Sequence, residues 1–345
     1  MHGIGKSQSA VWLLFMGAFL AAVVFSGCAS KSAAAGEPER SPPGETAAPA
    51  APLPAEGAGG AKVYFTGDIS PAGLEAVYRA LERGAEGRVA VKISTGEPGN
   101  RNFLSPDLIR DFVQSVDGTI VESNTAYGGR RSGTAMHYQV AKDHGFTAIA
   151  PVVILDEDGD LSLPVTDGKH LKEDLVGARF ADYTFHIILS HFKGHPMGGF
   201  GGAIKNMSIG YASPRGKSLI HSGGKSTTQP WGGDQNAFLE SMAEAAKAVA
   251  DRTGENILYI NVMNRLSVDC DCSSNPAEPD MHDIGILASL DPVALDKACV
   301  DLVYAAPDGK SLIERIESRN GALTMEHAAK IGLGSLRYQM VRLNG

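Results

Sequence analysis

The stretch Thr184–Gly210, TFHIILSHFKGHPMGGFGGAIKNMSIG, joins an apolar run to a segment crowded with histidine, lysine and glycine. Thr184 to Leu189 is continuously apolar apart from His186, as expected of a strand buried on both faces in the middle of a parallel sheet. If the extended geometry continues, His191, Lys193 and His195 fall at alternate positions and point to one side. They then sit at the strand's carboxyl end, where open α/β sheets bind ligands. Two imidazoles and an ammonium there suit a metal or an anionic group; surface histidines held by ordinary hydrogen bonds are the plainer alternative.

The run Gly198-Gly199-Phe200-Gly201-Gly202 lets backbone N–H groups approach a ligand closely, and a nest of such groups holds an anion. A flexible turn would use the same glycines. The pattern is neither G-x-G-x-x-G nor a P-loop, so a nucleotide is not the expected ligand. Lys205 and Asn206 follow directly and offer a cation and an amide to the same space.

Outward from this stretch, apolar runs alternate with helical patterns. Strands are predicted at Lys62–Thr66, Arg88–Ser94, Thr119–Glu122, Ala148–Leu155, Thr184–Ser190, Asn256–Val262, Ile284–Leu290 and Tyr338–Leu343. Helices are predicted at Pro71–Arg83, Pro106–Val116, Thr134–His144, Gln235–Arg252, Pro292–Tyr304 and Met325–Ile331. Ser105 before Pro106 and Asp291 before Pro292 each read as an N-cap followed by proline at the first helical position. Val- and Ile-rich strands separated by helices imply an α/β fold: a largely parallel or mixed sheet covered on both faces, as one domain or two intimately joined halves.

A second constellation lies in DCDCSSNPAEPDMHDIGILASLDPVALDKACVDLV, Asp269 to Val303. Cys270 and Cys272 are two apart, so both thiols lie on one side of an extended segment and suit one soft metal, whereas a C-x-C disulfide closes a strained ring. Asp269, Asp271, His282 and Asp283 supply further oxygen and nitrogen ligands nearby. Cys299 shares a helical face with Leu295, Leu302 and Val303 and reads as a buried structural thiol. Val91–Asn100, VKISTGEPGN, runs from a strand into a loop with Lys92 and Glu97, and Asn124, Tyr127, Arg130, Arg131 and His137 gather after the next strand.

The 345-residue chain begins with Lys6, an apolar run from Ala10 to Phe25, and Ser26-Gly27-Cys28. This reads as a signal peptide over residues 1–27 ending in a lipobox-like site, with Cys28 acylated and the folded part held outside the cytoplasmic membrane of a bacterium. Phe25 departs from the usual aliphatic residue, and an uncleaved anchor is the alternative. Residues 28–60 form a Pro/Ala-rich tether with six prolines and almost no large apolar side chain. Extended, it reaches about 100 Å, at roughly 3.1 Å per residue. Residues 61–345 are the folded domain. Removing residues 1–27 takes away one lysine and no acid, so the formal charge moves from −8 to −9, which argues against nucleic acid as partner. The three remaining cysteines do not make a disulfide framework.

The blocks SHFKGHPMGGFGGAIKN (190–206), CDCSSNPAEPDMHDIGILASLDPVALDKA (270–298), VKISTGEPGN (91–100) and NTAYGGRRSGTAMHYQVAKDHGF (124–146) together resemble the prokaryotic family catalogued as domain of unknown function 362, DUF362. The resemblance covers nearly all of residues 61–345. It carries over His191, Lys193, His195, Lys205, Asn206, Cys270, Cys272, Asp283 and Asp291. The family has no agreed activity. Many of its members carry a ferredoxin-like cysteine insertion after the pair matching His221-Ser222; here HSGGKSTTQPWGGDQNAFLESM stands without cysteine, so ferredoxin-type [4Fe–4S] clusters are not expected. In residue types alone there is a more distant similarity to nickel-dependent lactate racemase-like proteins, which also use lysine and histidines around an organometallic cofactor.

These readings give a metal- or metal-cofactor-binding envelope protein. Cys270, Cys272, His191 and Asp283 are the candidate metal ligands, for iron, zinc or nickel. His195, Gly199, Gly201, Gly202 and Asn206 are the candidate cofactor-binding residues. Lys193 and Lys205 are the candidate catalytic residues, orienting a small anionic substrate or moving a proton in a redox or proton-transfer reaction; a lysine near a cation has its pKa lowered towards neutrality. The alternatives are a non-catalytic metal-binding lipoprotein and thiol exchange by the C-D-C pair.

Overall fold

The structure is a computed structural model and describes residues 60–343; the expected signal segment, Cys28 and the expected tether up to Gly59 lie outside the described residues. In chain order the elements are β1 (Ala61–Thr66), α1 (Pro71–Ala80), β2 (Val89–Lys92), α2 (Pro106–Ser115), β3 (Gly118–Glu122), α3 (Thr134–Asp143), β4 (Val152–Ile154), β5 (Asp160–Pro164), β6 (Glu173–Gly177), β7 (Phe185–His191), β8 (Lys193–His195), β9 (Gly199–Gly201), α4 (Ala203–Met207), α5 (Pro214–His221), α6 (Gln235–Thr253), β10 (Ile257–Met263), β11 (Gly285–Ser289), α7 (Pro292–Ala305), α8 (Lys310–Ser318), α9 (Ala322–Lys330) and β12 (Tyr338–Arg342). No helix among them is long and apolar enough to cross a membrane.

One sheet of eight strands organises the fold, in the order β12-β1-β11-β10-β7-β2-β3-β4. All its pairs are parallel except those of β11, which runs antiparallel to β1 and β10. Every residue of β7 and β10 is buried. The alternation of their side chains divides the core in two. Phe185, Ile187, Leu189, Leu258, Ile260 and Val262 pack with α1 and α2 on one face, whereas Ile188, Ile257, Tyr259 and Met263 pack with α4, α6 and α7 on the other.

Helix starts follow a local rule. The Ser70, Ser105 and Ser213 hydroxyls and the Asp291 carboxylate each cap a helix whose next residue is proline. Asp291 accepts from Val293 N and Ala294 N, both at 2.9 Å, and also from Ser335 N at 2.8 Å, which ties α7 to the segment before β12.

The crossover from β2 to β3 runs through α2 on one face, and that from β7 to β10 runs through α4–α6 on the other. Strands β2 and β7 are neighbours, so the chain diverges between them, and the crevice at their carboxyl ends is a topological switch point. The loops after β2, β3, β7 and β10 all emerge there.

Candidate metal and anion site

The loop after β10 carries the C-D-C segment. The segment forms a tight turn, with Ser273 N donating to Cys270 O at 2.9 Å, in place of the expected extended run; the two thiols still come together while Asp271 faces His191 and Lys193. Asp271, 1% exposed, lies with Oδ1 2.8 Å from His191 Nδ1 and Oδ2 2.9 Å from Lys193 Nζ. Burial opposes its charge, but Lys193 and His191 outweigh burial and hold the carboxyl well below the usual range. Lys193 is held in its charged form in return: burial works against the ammonium, and Asp271 more than offsets it. The buried triad therefore pins the C-D-C loop to the end of β7.

The structure removes five expected ligands from the cluster. His191 has no nitrogen left for a metal, because Nε2 lies 2.7 Å from Asn264 O while Nδ1 faces Asp271. Asp271 is an anchor, not a ligand. Asp283 is also outside the cluster: it is exposed and accepts from Arg265 N at 2.6 Å. His282 pairs with Asp308, and Asp269 with Arg315. Cys299 is buried in α7 and accepts from Asn261 Nδ2 at 3.4 Å.

On the other side of the loop, ligand atoms of His195, Cys270 and Cys272 lie within 4.8 Å of one another. The histidine wall and the C-D-C wall thus meet, as one site requires. Cys272 N donates to Cys270 Sγ at 3.3 Å. His195 Nδ1 accepts from Gly198 N at 2.8 Å and Met197 N at 3.3 Å, and burial pulls the ring down to about 4. A neutral ring with Nδ1 so occupied carries its proton on Nε2, and its remaining hydrogen bond goes to Cys270. The Cys270 thiol is pushed well below its ordinary value by the hydrogen bond from Cys272, then by Lys205 and His195, against burial.

The glycine run differs from the expected anion nest. Gly199–Gly201 is strand β9, paired antiparallel with β8 as Lys193↔Gly201 and His195↔Gly199. Gly198 N is spent on His195, and Ala203 N and Ile204 N on the Asp296 carboxylate at 2.7 and 3.0 Å. Gly199, at φ +80°, packs its backbone against Ile316 and Gly321 and does not reach the pocket.

What the glycines do leave open is a small cavity of about 60 Å³ above the thiols, enough for one small anion. Gly201, Gly202, Cys270 and Cys272 line it together with Lys92, Arg131, Lys193, Lys205 and Lys217. Asn206 also lines it, though its amide nitrogen is spent on Lys92 O, Leu189 O and Ser190 Oγ at 3.0 to 3.3 Å. Glu122, at the end of β3, lies 2.9 Å from Lys92 Nζ and 3.2 Å from Arg131 Nη1 and accepts from Thr95 N at 2.7 Å. Burial raises its pKa less than Lys92 and Arg131 lower it, so the carboxylate stays charged. Arg131 also reaches Glu97 at 3.1 Å. Glu122 and Lys217 have no counterpart among the expected site residues. A charged residue closing an apolar strand, and the lysine in S-P-R-G-K just past an N-cap, were their only local signals.

The sequence profile described as "Domain of unknown function (DUF362)" matches residues 89–301, a span that contains every residue lining this pocket. The chain belongs to that family. In DUF362 terms the matched region runs from β2 into α7, so the crevice strands β2, β3, β7 and β10 fall wholly within it. No curated protein matches the chain. Among solved structures, the lactate racemase apoprotein from Thermoanaerobacterium thermosaccharolyticum is 14% identical, with 70% of this chain and 56% of that one covered and a TM-score of 0.39. A protein from Thermotoga maritima is 9% identical, with 75% and 58% covered and a TM-score of 0.38. The matched part of this DUF362 chain thus spans less than two thirds of either structure.

Proposed function

We propose that this DUF362 protein is a metal-dependent envelope lipoprotein. In this reading a soft metal ion is held by the thiolates of Cys270 and Cys272 at the floor of the cationic pocket, and the ion acts there on a small anionic substrate by redox or proton-transfer chemistry. The observation that carries the reading is the convergence of two thiols and an imidazole at the floor of a pocket lined by five basic side chains. Two thiolates are good donors for zinc, iron or nickel, and a site with few protein ligands keeps positions open for substrate. His195 fits as a direct ligand only by giving up its Nε2 proton. With that proton in place it donates to a sulfur and tunes the ion from beyond the ligands. Lys193 is fixed as a charged anchor, which leaves Lys205, without an ion pair among the described residues, as the cation beside the thiols.

The test is the metal content of the full chain purified without oxygen, beside the double variant Cys270→Ser, Cys272→Ser. Near-stoichiometric metal, lost in the double variant, is expected. A well-folded, metal-free wild-type protein would overturn the metal reading. It would favour the second one, a reactive thiolate at Cys270, for which the neighbouring Lys205 and the His195 hydrogen bond are the specific support. Rapid alkylation of Cys270 at neutral pH is the sign of that alternative.

A further inference from the structure

The charges around the pocket do not cancel. Lys92 and Arg131 share Glu122, Arg131 also holds Glu97, and Lys193 holds Asp271. Those three cations are matched by three carboxylates. Lys205 on α4 and Lys217 on α5 line the same cavity and enter no ion pair among the described residues. Lys217 is 4% exposed, and its ammonium donates to Ala212 O. Two buried or half-buried positive charges facing one space are costly without a counter-charge. Asp174 feels Lys217 but makes no ion pair with it: the side chain is fully buried with both oxygens unpartnered, and burial, opposed by Lys217, pushes its pKa up to about 8, so it offsets Lys217 only in part. Asp156 acts on Lys217 from outside the lining, held by Asn124 N and Nδ2 at 2.8 and 2.9 Å. A divalent ion with two thiolates is neutral, so with the ion bound the excess is two charges once Lys217 is protonated; without it the Cys270 thiolate offsets Lys205 and the excess falls to one.

We infer that the pocket takes a small oxyanion carrying two negative charges, held between Lys205 and Lys217. This deepens the reading above by naming the substrate's class, and rests on that reading only for what the metal does to the bound group. Lys205 comes from the helix that follows the β8–β9 hairpin and Lys217 from the next helix, so the two reach the ligand from separate elements. Tyr127 also lines the cavity, and its ring lies 5.8 Å from that of Trp231, which is 56% exposed. Trp231 therefore stands at the edge of the site as an optical reporter; the chain's other tryptophan is Trp12.

The experiment compares sulfate with methanesulfonate, which presents nearly the same oxygen face with half the charge. Affinities are measured by titration calorimetry on the full chain at constant ionic strength, and Trp231 fluorescence is followed in a Trp12→Phe background. Sulfate is expected to bind at least tenfold more tightly. Lys205→Met and Lys217→Met should each lower its affinity at least tenfold, while Lys205→Arg and Lys217→Arg retain it.

A pH series adds a second signature. Burial pulls Lys217 down to about 7, opposed by Asp156 and Glu122 and reinforced by Lys92 and Arg131; Asp174, His137 and His221 also face it. Below that value the ammonium is already formed. Above it, binding must bring in a proton, so sulfate affinity falls as pH rises through 7, by up to about tenfold per unit, and Lys217→Met removes that fall. Equal affinity for the two anions, no binding of sulfate, or well-folded lysine variants that bind like wild type would each overturn the inference. The Cys270→Ser, Cys272→Ser variant separates the two proposals, because it loses metal yet keeps the preference for sulfate.

Discussion

Asp271 shows how far a residue's role depends on what faces it. Its place between two cysteines suggests a third ligand, and the tertiary fold turns it the other way, onto His191 and Lys193. Removing one partner of a buried ion pair typically costs about 3–5 kcal/mol. Asp271→Asn is therefore expected to lose a few kcal/mol in urea unfolding at neutral pH and to release the C-D-C loop, lowering bound metal. The sign with pH follows from the depressed native pKa. The carboxylate's contribution is complete above its unfolded value of about 3.9 and is lost as pH falls further, so the gap between wild type and variant should narrow in acid. A gap that stays constant to low pH would mean that Asp271 acts by shape and not by charge. Lys193, Lys205 and His195 stood out in the sequence because they follow an apolar strand, and the two thiols because of their C-x-C spacing. Lys217 was not, since its importance comes from being buried at a distant wall of the same cavity.

At the level of elements, the β8–β9 hairpin is the part that delivers chemistry. The segment at Val268 passes so close to Gly194 that a Cβ there would stand 2.3 Å from Val268 O, and Gly194 N donates to Ser267 O at 2.8 Å. Gly194→Ala should push the hairpin off the C-D-C segment and cost about 1–3 kcal/mol, in the range of an overpacked core. Metal stoichiometry should drop by more than the loss of stability explains, as measured beside circular dichroism and urea midpoints; unchanged metal content would show that the hairpin is not the positioning element. The long helices and central strands were readable from periodicity, and two starts from Ser-Pro and Asp-Pro. Helix α5 begins with the same signal at Ser213-Pro214, but no long apolar face follows it to mark a helix. Helix α4 has five residues and no side-chain cap of its own; Asp296, nearly a hundred positions away, binds its first N–H groups. Such an element has no local signature. The hairpin's glycines were visible, but whether they served an anion or close packing depended on partners from α8 and the loop after β10.

For the whole molecule, net charge and site charge point in opposite directions. The chain is formally −8, yet the crevice gathers five cations, so a global acidic balance says little about the ligand. The amino-terminal reading carries its own expectation: the membrane-bound protein should begin at an acylated Cys28 by mass spectrometry, and an intact amino terminus without acylation would favour the uncleaved anchor. The sheet's order was beyond sequence. Composition required strands covered on both faces, but which strands neighbour one another, and on which face each crossover lies, depends on long-range pairing that no local pattern encodes.

The sequence by itself determined an α/β fold with buried central strands, most helix starts, and the residue types of the two site walls, because these follow from periodicity, capping and short-range spacing. Tertiary structure alone decided that β2 and β7 lie side by side, that His191 and Asp271 satisfy each other, and that Glu122, Arg131 and Lys217 close the cavity. The reason is physical: a side chain's partner and burial set its charge and its role, and here those partners come from strands and loops far apart in the chain.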